Sequence, residues 1–594
     1  MRAVLIFTLF ASFLGAASGG EKPSARLDAA LAAGIGSDEV IAWVYFTDKG
    51  GIRKLPAELV SPRSLERRTR VLPADRLVDE SDLPLHAPYV VGVEARVLRL
   101  RQVSKWFNAV SVAATGAQLR TIAALPYVRE VDLVYRAGPS SPRKLPEETA
   151  PAQGPRKDDG TAALNYGSSL PQVSLENIPT VHNTGNNASG IIIAVMDNGV
   201  RLPSHHAFDS LRTRILGTYD FVDHKVSVIP RNPVSTFGDH GVNTLSVLAG
   251  FSPGTLIGPA FGASFLLART ENDSSETPIE EDNWVAAIEW ADSQGVQVTS
   301  TSLGYDTYDS PYTSWTWADM NGRTTVIAKA AVMAARKGII VVNAAGNEAL
   351  TRDGQPNTLL TPADADSILS VGAVTPAGVL TYFSSYGPTS DGRIKPDVVA
   401  VGSGITAASG SAANAYVTGI QGTSFACPIA AGVAALVLKA HPSATPMQII
   451  GALKATASLA SAPDRKLGWG SIDAVAAINY LGPTDSGGGI PLRPTTFVLE
   501  QNFPNPFNPA TRIDFLLPEG AQITIRVYDL LGKEVKTLVS GAYPASGTFP
   551  YQAEWDGTAA SGARVASGVY YCRFEARANS GSTTVRSMKM MLLK

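Results

Sequence analysis

The sequence predicts an α/β protein: a central domain with a mostly parallel sheet covered by helices on both faces, preceded by a small α+β domain and followed by an all-β sandwich. Three observations predict it. Between residues 166 and 481, apolar β-rich runs alternate with stretches of helical period, the pattern of a sheet covered on both faces. Before residue 159 the elements are short and mixed, and the stretch 137–159 is rich in Pro, Gly, Arg and Lys. After the glycine-rich stretch GPTDSGGGIPLRP at 482–494 the pattern turns to short runs of period two. A chain of 594 residues holds about three or four such units.

The elements follow in order. Arg2, an apolar stretch at 4–14 and the small residues Ala16, Ala17 and Ser18 make residues 1–19 a secretory signal, too short to span a bilayer. Residues 20–159 then hold a strand at 40–46, a charged helix around 65–71 and a strand near 107–113. Thr115 and Gln118 form a capping-box pattern that opens a helix to Leu125, before a strand at 127–134. The stretch 137–159 is the exposed linker where processing is expected.

In the central domain, 160–481, the unbroken apolar run 191–195 reads as a strand buried on both faces, with Asp197 at its carboxyl end. After His240, the spacing of Val242, Leu245 and Leu248 predicts a helix. Thr277, Pro278 and Glu280 are a cap, a first-turn proline and an acid that open another through Ala291; Thr445, Pro446 and Gln448 repeat the device. Residues 296–303 read as a strand, and 338–347 as a glycine, a β-rich run and a turn ending in Asn347. Gly422 and Thr423 lead into Ser424, then Pro428 and the small-residue run 429–438 of an interior helix. A linker at 482–496 precedes a sandwich of about seven strands at 497–594, clearest at Ile523, Ile525 and Val527 and at 569–574, with turns at Leu531-Gly532 and Asp556-Gly557.

Four segments carry chemistry: IIAVMDNG at 192–199, GDHG at 238–241, GIIVVNAAGN at 338–347 and GTSFACP at 422–428. A serine hydroxyl is a poor nucleophile at its free pKa and needs a hydrogen-bonded base, which in turn needs a partner that fixes its tautomer. Asp197, His240 and Ser424 supply those three types, in the order Asp, His, Ser. These segments resemble the subtilisin-like serine proteases (peptidase family S8). The resemblance covers about half the chain and implies a three-layer domain and an endopeptidase that works through an acyl-enzyme. It makes Ser424 the nucleophile, His240 the general base, Asp197 the orienter of the ring and Asn347 the oxyanion-hole amide, a donor worth about 3–4 kcal/mol in the transition state. Ser302, Leu303 and Gly304 match the edge that pairs with the substrate backbone. Ala344, Ala345 and Gly346 line the P1 side, where small groups suggest an open apolar pocket.

The family has threonine and histidine where Val242 and Asn243 follow Gly241, and serine or threonine where Asn198 follows the aspartate; these positions support the helix and turn rather than the proton transfer. The N-terminal domain resembles the propeptide of these proteases, which templates folding and blocks the cleft. A parallel sheet of high contact order needs such help. Phe503, Phe507, Asn508 and Pro509, with the stretch YDLLGK at 528–533, resemble the Ig-like C-terminal domains read by the type IX secretion machinery.

Adjacent His205 and His206 point apart and suit loop packing, and Asp239 suits a helix N-terminus. Cys427 lies on the serine's helix, but the pattern puts the serine at the turn. The two cysteines, Cys427 and Cys572, fall in different domains, so no disulfide framework is expected. A formal net charge of −2 with short basic runs excludes nucleic acid as a partner. No cofactor is required for catalysis; Asp364 and Asp366, or residues 280–282, offer oxygens for a structural calcium, and caps and solvated faces explain them equally well. The expected partners are protein or peptide substrates, the chain's own propeptide as inhibitor and the secretion machinery, for an exported monomer. The alternatives are an acid-acting Ser-Glu-Asp peptidase and a decayed protease serving as a secreted adhesin.

Overall fold

The computed structural model describes residues 23–32, 39–52, 54–134, 164–201, 203–230, 239–309, 312, 314–352, 354–482, 497–499, 502, 505, 507–544 and 551–593. The signal, the processing stretch 137–159 and the linker beyond residue 482 lie outside them.

The sheet that positions the site has seven strands, all pairs parallel. In spatial order they are Val398–Val401, Leu369–Val374, Ile340–Ala344, Val298–Thr301, Ile192–Asp197, Ser264–Arg269 and Ile215–Asp220. The strand Ile192–Asp197 is buried throughout. It sends Ile193 and Val195 into one apolar cluster and Ile192, Ala194 and Met196 into the other, as a period of two requires of a strand covered on both faces. After it the chain makes the edge strand Ile215–Asp220 on one side, fills the gap with Ser264–Arg269, and then crosses to build the other side from Val298–Thr301 outward. The strand order therefore reverses between Ile192–Asp197 and Val298–Thr301, and open α/β sheets carry their sites in the crevice at such a point.

On one face lie the helices Asp239–Ala249, Thr423–Ala440 and Pro446–Ala455; on the other, Ile279–Gln294 and Val326–Arg336. The helix Thr423–Ala440 is long and apolar enough to cross a membrane by composition, but 83% of it is buried inside the protein. Its small residues allow close approach to the neighbouring helix Asp239–Ala249 and to the loop at Pro259. A Cβ on Gly432 would lie 2.2 Å from the Pro259 ring. The capping boxes expected at Thr115 and Thr445 are present, each side chain accepting from the backbone N–H three residues on. The helix expected from Thr277 begins at Ile279, with Glu280 reaching back to the Thr277 N–H at 3.0 Å.

The N-terminal domain is a four-stranded antiparallel sheet ordered Arg99–Ser104, Ala109–Thr115, Glu39–Phe46, Val128–Leu133. Its edge strand Arg99–Ser104 and the helix Ala87–Glu94 went unread in the sequence. The sheet lies on the helix Ile279–Gln294: Trp43 donates to Asp282 at 2.9 Å and Gln102 to Asn283 at 2.7 Å. Glu289 accepts from the backbone N–H groups of Lys105 and Trp106 at 2.9 and 3.2 Å. At the helix's end, Arg67 and Arg68, 1% and 0% exposed, both pair with Asp292. The C-terminal region is a sandwich of a three-stranded and a four-stranded sheet, matching the seven strands expected. Phe507 is part of its core, packed on Trp555 and bonded to the last strand at Met591.

Candidate active site

Asp197 ends the central strand with 2% of its surface exposed. One carboxylate oxygen accepts from the Asn198 N–H at 2.8 Å and lies 2.7 Å from His240 Nδ1; the other accepts from the Thr244 hydroxyl at 2.9 Å. That occupancy holds the carboxylate in one orientation. His240 sits on the first turn of the helix Asp239–Ala249, and Thr244, one turn on, reaches the same carboxylate. The helix can start there because residue 241 has no side chain: a Cβ on Gly241 would fall 1.8 Å from the Gly199 carbonyl. The Gly241 N–H donates to Asn198 Oδ1 at 2.9 Å, and Asn198 Nδ2 donates onward to Asp273 at 2.7 Å. The His240 side chain is 33% exposed, its ring open to the cleft. Burial opposes its cation, but the charge and hydrogen bond of Asp197 outweigh this and hold its pKa above the usual 6.5.

Ser424 is the second residue of the helix Thr423–Ala440. Its hydroxyl donates to the Ser302 carbonyl at 3.1 Å, while the Ser302 hydroxyl donates to the Ser424 carbonyl at 2.7 Å. The helix start is thereby tied to the end of the strand Val298–Thr301. Among the described residues no hydrogen bond joins Ser424 to His240, whose ring lies 6.3 Å from that of Phe425, the residue after the serine. Catalytic hydrogen bonds of this kind commonly tighten only when substrate is bound.

Asn347 follows the strand Ile340–Ala344. Its Oδ1 accepts from both the N–H and the hydroxyl of Thr423, at 2.9 and 3.0 Å. With the oxygen so occupied, the amide nitrogen is left for the cleft. A Cβ on Gly422 would lie 3.7 Å from both Asn347 Nδ2 and the Ser424 backbone N, so the two donors converge on the space beside Gly422. Asp197, His240, Ser424 and Asn347, which the sequence places up to 227 positions apart, thus meet at the carboxyl end of the sheet.

Ser302, Leu303 and Gly304 leave the sheet just after the strand ends at Thr301, shorter than the 296–303 run expected. The Leu303 carbonyl accepts from Asn343 at 3.0 Å. Ala344, Ala345 and Gly346 are buried, and the Ala345 N–H donates into the sheet at Val371. Beside this crevice the carboxylates of Glu271, Glu276 and Glu280 bring oxygens within 4.8 Å of one another. Desolvation and neighbouring carboxylates push all three above the usual range: Glu271 and Glu280 feel Glu276, and Glu276, raised to about 7, feels Asp309, Asp306 and Asp273.

The remaining candidates have structural places. His205 is buried and bonds the Ala415 carbonyl at 2.7 Å; the exposed His206 pairs with Asp209. Asp239 stands at its helix start, paired with Arg201 at 2.8 Å. Burial pushes the Cys427 thiol up to about 12, and it donates to the Thr301 carbonyl at 3.3 Å, away from any nucleophilic role. Both cysteines are free. Residues 280–282 are not the solvated face they resemble. Glu280, Glu281 and Asp282 are fully buried, Glu281 holding Tyr308 and Trp315 and Asp282 holding Trp43 and Ser111. Asp364 is buried and accepts from the Gly322 N–H at 2.6 Å. Sequence reading missed Thr244 and Thr423. The i, i+4 spacing of Thr244 from His240 was the available signal for the first.

Residues 188–470 match the subtilase family, residues 41–149 the peptidase S8 propeptide domain of Bacteroidota, and residues 507–581 the FlgD Ig-like domain. Subtilisin NAT of Bacillus subtilis subsp. natto is 30% identical over 300 residues, covering 50% of this chain and 68% of that protein. The subtilisin of Bacillus pumilus is 31% identical over 282 residues, 47% of this chain and 88% of that protein. Among solved structures, a protease from Pseudoalteromonas arctica aligns over 53% of this chain and 99% of its own, at 25% identity and a TM-score of 0.41. Identity at this level over most of a subtilisin's length, with the subtilase match at residues 188–470 and the propeptide match before it, places the chain in the subtilase family, as a serine endopeptidase made with a propeptide.

Proposed function

We propose that the chain is an exported endopeptidase in which Ser424 attacks the peptide carbonyl while His240 takes the hydroxyl proton and Asp197 steadies the imidazolium. The carbonyl oxygen, now an oxyanion, lies between the Asn347 amide and the Ser424 N–H. Collapse breaks the C–N bond, and His240 returns the proton to the leaving amine. Water then attacks the acyl-Ser424 ester by the same base, releasing the acid and restoring the serine. No step calls for a cofactor. An extended substrate pairs with Ser302–Gly304 by main-chain hydrogen bonds. The observation that carries the reading is the carboxylate of Asp197, held by Asn198 and Thr244 and set 2.7 Å from His240 Nδ1.

The N-terminal domain is the intramolecular inhibitor, supported by its ties to the helix Ile279–Gln294. The apolar stretch at 4–14 supports export. An address read by a secretion machine is supported by the hairpin turn at 529–532, where Leu530 and Leu531 stand 67% and 94% exposed, an apolar tip with no core role. Covalent labelling by a fluorophosphonate, with Ser424→Ala alongside, tests the chemistry. The wild-type chain should label and lose its propeptide, and the variant should do neither. Hydrolysis by pure Ser424→Ala protein would refute the assignment.

A further inference from the structure

The two segments that flank a substrate side chain beside Ser424 end in glycines, Gly304 and Gly346, and both point their missing side chains at one residue, Leu360. A Cβ on Gly304 would lie 2.7 Å from Leu360 Cβ, and one on Gly346 2.6 Å from Leu360 Cγ. Leu360 Cδ1 is 3.2 and 2.9 Å from these same two positions, so one methyl group stands between the walls. Carbon atoms pack at about 3.5–4.0 Å, which leaves no room for a ring to slide between Leu360 and either wall.

The leucine is also fixed from behind. Its N–H donates to the Ala345 carbonyl at 3.1 Å, on one wall, and the next residue, Thr361, exchanges two backbone hydrogen bonds with Tyr305 on the other, at 2.9 and 3.0 Å. Its backbone therefore cannot withdraw without breaking the ties to both walls. The side chain is half-buried, so one face remains open as a floor. The open pocket expected from Ala344, Ala345 and Gly346 alone is closed at its base.

We propose that Leu360 is the specificity-determining residue of the P1 pocket and restricts it to small apolar side chains, of alanine to valine size. The inference rests on the assignment of Ser424 and the two flanking segments given above. A methyl or isopropyl group ends on the leucine, whereas a benzyl group needs the volume the leucine fills. Misfit of one methylene in an apolar pocket discriminates by about 10- to 200-fold.

The test uses enzyme matured from the full chain and a series of acylated tetrapeptide p-nitroanilides that differ only at P1: Ala, Val, Leu and Phe. The readout is the Ala-to-Phe ratio of kcat/KM, which a general loss of folding does not alter. Wild type should favour Ala over Phe by about tenfold or more. Leu360→Ala should narrow the ratio and Leu360→Gly invert it, with thermal melts confirming that both are folded. A wild-type preference for Phe, or a ratio unmoved by both substitutions, would overturn the pocket while leaving the protease intact. No hydrolysis of any member and no fluorophosphonate labelling would overturn the protease reading and the pocket with it.

Discussion

In the proposed mechanism, replacing Asn347 with alanine removes one donor from the oxyanion site and leaves the other, the Ser424 N–H, in place. The magnitude follows from how firmly the amide is held. Its oxygen is engaged twice by Thr423, at 2.9 and 3.0 Å, so the nitrogen faces the cleft before substrate arrives. A donor already aimed costs no reorganisation during the reaction, and one such group is worth about 2.7–4 kcal/mol. At about 1.4 kcal/mol per factor of ten, kcat should fall by about 10²- to 10³-fold. KM should change little, because the charge this amide meets exists only in the transition state. Asn347→Asp sharpens the point. It keeps the one oxygen that accepts both Thr423 donors and puts a carboxylate where the oxyanion forms, so it should be at least as damaging to kcat while preserving stability better than alanine. The assay is steady-state kinetics on a peptide substrate, with a thermal melt for each variant. A loss confined to KM, or an Asn347→Asp enzyme with near-normal kcat, would refute the reasoning.

Two further outcomes are expected. In the proposed mechanism the group that must be neutral to accept a proton is His240, and Asp197 holds its pKa up; kcat/KM should therefore rise with pH through a midpoint above 6.5 and be lost as His240 protonates below it. A pH–rate profile that peaks in acid would contradict this and point to a carboxylate base. Deleting residues 497–594 should leave peptidase activity intact while the folded enzyme collects in the periplasm of a host with the secretion machine. Cell fractionation with a peptidase assay reads this, and normal release of the truncated enzyme would remove the sorting role.

What the sequence made legible was whatever depends on near neighbours. Asp197, His240, Ser424 and Asn347 stand in short motifs because the backbone around each must make a tight turn or a close approach, as the 1.8 Å clash at Gly241 shows. The capping boxes at Thr115 and Thr445 were readable for the same reason, since cap and partner lie three residues apart. What stayed hidden depends on tertiary contact. Leu360 looks like any loop leucine until the fold brings Gly304 and Gly346 against it. The strand Arg99–Ser104 has its apolar residues, Leu100 and Val103, three apart and so off the period of two, and its pairing with Ala109–Thr115, irregular between Leu100 and Gln102, is what makes it a strand.

The helix Ile279–Gln294 is present as expected, but its acids are not the solvated face that the sequence left open for residues 280–282. Acidic runs normally mark a solvated face, yet Asp282 and Asp292 are fully buried and Glu289 is 6% exposed. Burial pushes the carboxyl of Asp282 up to about 6 and that of Glu289 up to about 7, the expected effect of drying an acid. The N-terminal domain offsets it with donors: the Trp43 indole, the Ser104 and Ser111 hydroxyls, two backbone N–H groups, and Arg67 and Arg68. On the propeptide reading, this choice of residues has a reason that a well-packed apolar interface would lack. An inhibitor that must leave exposes whatever it covered, and a bare apolar face of that size invites aggregation. Carboxylates are satisfied in both states, by the donors of the N-terminal domain before it departs and by water afterwards. The same acids that hold the domain down are those the mature enzyme can afterwards leave in solvent.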